Sequence, residues 1–232
     1  MDLPFDRRAK RLVLGVLSVV TVQSWLRAWH RRWLATPAEM HDPLPGDDIV
    51  EDANFVRTHA VTVNAPREAV WPWLARMGAE RTELSEEDLR YDGDGDDGTR
   101  LSEFRRPTVG DAVPALPSRD DGFVVSVLDP GRSLVLASLT DVFGRRESEP
   151  GKSSRWFWRT SWAFRLAEPS PGRTRLVVRV RVSYGPKLLA PFAHLVAFPT
   201  HFLAQRRELL ELKSRAESLA AEWGDDERQR HL

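Results

Sequence analysis

Tryptophan outnumbers tyrosine nine to two in this chain, and three of the tryptophans stand at Trp156, Trp158 and Trp162. Even spacing puts these three indoles on one side of a β-strand. Indoles are large, stiff and apolar with one N–H donor each, so such a row can wall a cavity for an apolar small molecule. The same row can equally fill a core. Phe164, Leu176 and Val178 take matching strand positions, and Phe202 and Leu209 offer a helical face to them. Arg206 stands beside that face, where a guanidinium either pairs with a ligand carboxylate or phosphate or snorkels from the helix edge. These nine residues form the candidate ligand-binding set.

No catalytic set emerges. The sequence has no GxSxG elbow, HExxH pair, Walker loop or dinucleotide fingerprint. Its six histidines, His30, His41, His59, His194, His201 and His231, are scattered. His194 and His201 are a weak metal pair because Pro199 interrupts the helix between them. His201 reads as a capping or surface residue, or as a pocket base oriented by Glu208. The acidic loop Asp92–Gly98 lacks the EF-hand frame: Glu103 stands at its twelfth position, but Asp97 occupies the sixth, where glycine is needed. It reads as a solvated loop, and no metal or cofactor is implied.

Composition narrows the classes further. Lys plus Arg equals Asp plus Glu at 34 each, so nothing global favours nucleic acid. The absence of cysteine excludes disulfides, thiol catalysis and Cys-ligated clusters. With 41% hydrophobic residues the chain can fill a substantial core.

The elements that position the aromatic row follow from periodicity. Phe55 to Val63 alternates as a first strand, and Pro66 opens a short helix carrying Val70, Trp73, Leu74 and Met77. Phe123–Leu128 and Ser133–Ala137 flank Asp129-Pro130-Gly131-Arg132, a hairpin signal. Trp156–Leu166 and Thr174–Val182 alternate as two long strands about a Pro/Gly turn. Their apolar side faces inward, and Arg175, Arg179 and Arg181 form a cationic outer stripe. From Lys187 the pattern is helical, broken early by Pro191 and Pro199, with Gly224 as its terminator. Sequential hairpins make an antiparallel sheet, and only the last helix is long enough to cover it. The expected fold is α+β, a curved antiparallel sheet wrapped around a long C-terminal helix. The expected organisation is a basic and apolar segment at 1–34, a Pro- and Asp-rich linker at 35–54, the domain at 55–222 and a flexible tail at 223–232.

Arg7, Arg8, Lys10 and Arg11 precede the apolar run Leu12–Val22, and Trp25, Trp29 and Trp33 follow among further basic residues. Three readings compete: a membrane anchor that spans or lies in the interface, a signal peptide, and an apolar helix packed on its own domain.

With these residues in view, the chain resembles the SRPBCC superfamily, the helix-grip fold of START lipid-transfer domains and birch-pollen-allergen-like proteins. The resemblance rests on VTVNAPREAVWPWLARMG at 61–78, where Ala65, Pro66, Val70 and Trp71 match, and on the hairpin and long helix at 156–222. Trp29, Arg32, Trp33, Ala35 and Thr36 also resemble the end of the hydrophobic leader in a bacterial subset. Two departures stand out: Ala79–Tyr91 is polar and acidic where that subset is Gly- and aromatic-rich, and Ala197-Phe198-Pro199 precedes His201-Phe202. The resemblance implies a pocket for a hydrophobic or lipid-like small molecule. The leading function is a membrane-associated binding module touching the membrane surface through residues 7–34, with no nucleic acid as partner. The alternatives are a polyketide cyclase/aromatase-like enzyme and a ligand-free structural or regulatory domain. The expected location is the bacterial inner membrane, the alternative the cytoplasm.

Overall fold

In the computed structural model, residues 33–79, 107–114, 122–141 and 156–230 are described. The basic and apolar segment up to Arg32, and the loop Asp92–Gly98, lie outside them. In chain order come α1 (Pro37–His41), β1 (Phe55–Val63), α2 (Arg67–Ala79), β2 (Ala112–Pro114), β3 (Gly122–Asp129), β4 (Ser133–Asp141), β5 (Phe157–Ser170) and β6 (Arg173–Gly185). A helical segment follows: a 3₁₀ turn over Lys187–Leu189, an α turn over Ala190–Phe192, a π turn over Ala193–Ala197, and α3 (Phe198–Arg230).

The six strands form one antiparallel sheet in the order β1-β6-β5-β4-β3-β2. This curved sheet against a long C-terminal helix is the helix-grip architecture, and the α+β expectation holds. The β3–β4 turn closes with Arg132 N–H donating to Asp129 O at 2.9 Å and Gly131 at φ 76°. Helix α3 runs through Gly224 to Arg230, so glycine does not terminate it as expected. A single mid-helix glycine costs only about 1 kcal/mol. Pro72 likewise sits inside α2 without ending it.

The inner face carries Val61, Val63, Leu134, Leu136, Trp162, Phe164, Leu166, Leu176, Val178 and Val180 in one buried cluster. Phe202, Leu209, Leu212 and Ala216 of α3 close it, and Ala69, Val70, Trp73 and Leu74 of α2 complete it.

The outer face is not the open cationic stripe the sequence suggested. Residues 33–54 strap across it. Thr36 and Glu39 form a reciprocal capping box that starts α1, although the composition had suggested an extended connector. The Trp33 carbonyl accepts from the Ala60 N–H at the free edge of β1. Leu34, at φ 56°, turns the chain there, so that Trp33 enters the main core and Ala35 packs with Leu44, Ala60 and Val177. Gly46, at φ 82°, brings the strap onto β4: a Cβ there would lie 2.5 Å from Val135 Cγ1.

The outer arginines bond this strap. Arg179 donates to Asp47 Oδ2 at 2.6 Å, to the carbonyls of Glu39, Met40 and Asp42, and to Thr58 Oγ1. Arg175 grips both carboxylate oxygens of Glu39, at 2.7 and 2.8 Å. Arg181 donates to the Val50 and Glu51 carbonyls. A buried charge that loses its partners is costly, so Arg179→Met, which strips the ligand from three carbonyls and Asp47 at once, should cost ~3–5 kcal/mol in urea unfolding.

Hydrogen bonding to Arg175 holds the Glu39 carboxyl well below its usual 4.5, at about 2. The folded state therefore binds this proton more weakly than the unfolded chain. Glu39 contributes stability above pH 4.5 that is lost as pH falls towards about 2. In a pH series of urea midpoints, Glu39→Gln should be less stable than the parent at neutral pH, by roughly 2 kcal/mol, and should flatten the acid limb. An unchanged acid limb would remove Glu39 from the account.

Candidate functional site

The core changes character along α3. At the end near Ala216 it is mostly aliphatic, with Trp73 of α2 beside Arg215. At the Phe198 end it is aromatic and polar. β1 explains part of this, because Phe55, Arg57, His59, Val61 and Val63 alternate onto the inner face, and two of the five are polar. Helix α3 supplies the other part, because Phe202, Gln205, Leu209, Leu212 and Ala216 recur at three- and four-residue spacing and are all buried.

Phe55 and Phe198 stack with centroids 3.6 Å apart and planes 10° off parallel. Trp158 stacks on Tyr184 at 5.4 Å and leans on Phe198 at 6.0 Å. The π turn delivers His194, whose ring meets Phe198 edge-on at 5.3 Å and whose Nε2 lies 3.5 Å from Tyr184 Oη. Such turns insert one residue and re-aim side chains.

Deeper in, the Arg57 guanidinium lies 4.7 Å from the Phe55 ring centre and 5.5 Å from that of Phe202, and donates to the Phe198 carbonyl at 3.1 Å. The His59 ring sits edge-on between Trp33 and Phe202. Its Nδ1 is 3.1 Å from Gln205 Oε1, which accepts from it in the Nδ1–H tautomer. The Gln205 amide nitrogen is buried and has no hydrogen-bond partner among the described residues.

Of the sequence-derived set, Trp162, Phe164, Leu176, Val178, Phe202 and Leu209 come together as one buried cluster. Trp162 meets Phe123, Phe164 and His201. Trp158 is partly buried at the aromatic end. Trp156 precedes β5 and is exposed, so it does not extend the row. Arg206 is exposed on α3, with its guanidinium 5.6 Å from the Trp33 ring centre. Among the described residues no three His, Asp or Glu side chains converge as a metal site. Trp33, Arg57, His59, Tyr184 and Gln205 were not in the set. Carrying the β1 alternation back from Val61 would have placed Arg57 and His59 inside, and the spacing Phe202, Gln205, Leu209 marks Gln205.

Truncation separates the two ends of the row. Trp162→Ala should cost ~3–5 kcal/mol, as a fully enclosed aromatic does. Trp158→Ala, already partly open, should cost about 1–2 kcal/mol. Equal losses in chemical denaturation would show that Trp158 is as tightly enclosed as Trp162.

No protein-family model matches the sequence. No curated protein matches it. Among solved structures, the chain is similar to a protein from Arthrobacter aurescens at 15% identity and TM-score 0.40, over 70% of this chain and 86% of that one. It is similar to the Aha1 dimer from Colwellia psychrerythraea at 16% identity and TM-score 0.38, over 70% of this chain and 96% of that one. It also resembles the di-domain ARO/CYC StfQ of the steffimycin biosynthetic pathway at 14% identity and TM-score 0.37, over 78% of this chain and 55% of that one. Likeness this slight carries no function across.

Proposed function

We propose that this chain is a non-covalent binding module for a hydrophobic or lipid-like small molecule, kept at a membrane by the basic and apolar residues that precede Trp33. The observation that supports the binding is Gln205. A fully buried amide nitrogen without an acceptor costs about 1–3 kcal/mol. An acceptor group on a bound molecule would remove that cost. The side chains around this point are aromatic, and Arg57 stands two residues from His59 on the same face of β1. An apolar body with one carbonyl, hydroxyl or carboxylate suits such surroundings, with rings for the body and a few fixed polar groups for the head. The membrane part is supported by the apolar run Leu12–Val22 between basic flanks. Among the described residues no helix is long and apolar enough to cross a membrane, and that run lies outside them.

The test is organic extraction of the purified full chain with mass spectrometry, alongside titration of an environment-sensitive fatty-acid probe without vesicles. Saturable probe binding is expected. Replacing His59 and Gln205 together by Leu removes donor and acceptor at once, the exchange that disturbs stability least, and urea unfolding checks that the variant is folded. That double variant should bind the probe about tenfold more weakly, the equivalent of ~1.4 kcal/mol. Unchanged affinity would sink the role given to Gln205. Folded protein with no co-purified lipid and no saturable binding would sink the function.

A further inference from the structure

We propose that the helical segment from Lys187 to Arg207 is itself a docking face for an anionic lipid surface. This deepens the membrane part of the reading above and is independent of the small-molecule site. Leu188, Phe192, Leu195, Val196 and Leu203 are each more than half exposed. They recur at spacings of three, four and seven, so they form one stripe on the solvent side of the helix while Phe198, Phe202 and Gln205 face the sheet. Leu210, two turns further on, stands between Glu208 and Glu211 and lies outside this stripe. A water-soluble surface rarely leaves such a continuous apolar row without an occupant.

Charge identifies the occupant. No Asp or Glu occurs between Pro169 and Arg207, in a chain that carries 34 acidic residues. Lys187, Arg206 and Arg207, all exposed, flank the apolar row at its two ends. An apolar stripe edged by cations and free of acids fits a helix lying in the interface, with its side chains among the acyl chains and its cations at anionic headgroups.

Chain geometry agrees. Trp33 is fixed under Arg206 and beside Phe202, one turn from Leu203. The basic, apolar and Trp-bearing residues that precede it therefore join the domain at the edge of the same stripe. Two membrane-seeking features on one flank can engage one surface together.

The chain has no cysteine, so a single thiol label reports a single position. The full-length protein carrying Leu195→Cys is labelled with an environment-sensitive fluorophore. Arg173→Cys is the control, at the other end of β6 and about 40 Å away by strand rise. Each is titrated with phosphatidylcholine vesicles, with and without phosphatidylglycerol. The label at 195 should brighten and shift to the blue on the anionic vesicles and be quenched by spin-labelled acyl chains, while the label at 173 stays unchanged. Leu195→Glu combined with Leu203→Glu changes only exposed side chains, and should lower partitioning onto anionic vesicles about tenfold. Vesicle-bound protein with an unchanged label at 195 would overturn the proposal, because another part of the chain would then hold the lipid. A blue label without vesicles would overturn it too: growing with protein concentration, it would assign the stripe to a second copy, and independent of concentration, to the chain's own N-terminal segment. The fatty-acid titration contains no vesicles, so failure of this surface and failure of the small-molecule site are separate results.

Discussion

Arg179 is the residue on which both faces of the sheet depend. Its side chain is only 4% exposed, yet it lies on the face of β6 turned away from α3. A guanidinium in that position needs acceptors, because an unpaired buried charge costs several kcal/mol. The strap supplies them, three from backbone carbonyls and one from Asp47. Those carbonyls belong to α1 and the turn after it, where helix-end oxygens have no partner within the helix. Two deficits are thus met by one contact. With the strap in place Val135, Ala163 and Val177 are buried on the outer side, and the central strands have core on both faces.

The inner face is not uniform. Near Ala216 it is mostly aliphatic and closed by α2. Near Phe198 it holds a cation, an imidazole, a phenol and a carboxamide among aromatic rings, with the exposed His194 at its rim. Most of these polar groups are partnered by the surrounding protein: Arg57 with a carbonyl and two ring faces, His59 with Gln205, Tyr184 with His194. The Gln205 nitrogen has no such partner among the described residues. Burial makes that lack costly, and burial also makes any acceptor that reaches the nitrogen strongly held.

The strand pattern was legible because alternation and turn residues are local. The first strand, both hairpins and the inward row from Trp158 to Leu166 follow from them directly. The strap was not legible. Its packing is specified by arginines about 135 residues further along the chain, and its composition of Pro and Asp describes a loop equally well. One local signal was present, the Thr36–Glu39 spacing of a capping box, and it marks α1. Trp33 was read with the membrane-seeking segment because its neighbours are basic, whereas its indole completes the domain core. Arg57 and His59 escaped notice because charged and titratable residues are assigned outward by default, and only the β1 register puts them inside. The long helix was legible in its apolar face, but its passage through Pro191 and Pro199 was not: each stands near the start of an α segment, Ala190–Phe192 and α3, the position where proline is best tolerated.

The π turn joins the two proposed surfaces. Within Ala193–Ala197, Ala193 is buried in the core and His194 packs its ring on Phe55 and Phe198, while Leu195 and Val196 point to solvent. One short turn thus carries part of the aromatic wall on one side and the centre of the apolar stripe on the other. A π turn holds one more residue than the α-helix would. That extra residue lets neighbouring positions of one short segment face opposite ways, with Ala193 in the core and Leu195 and Val196 in solvent.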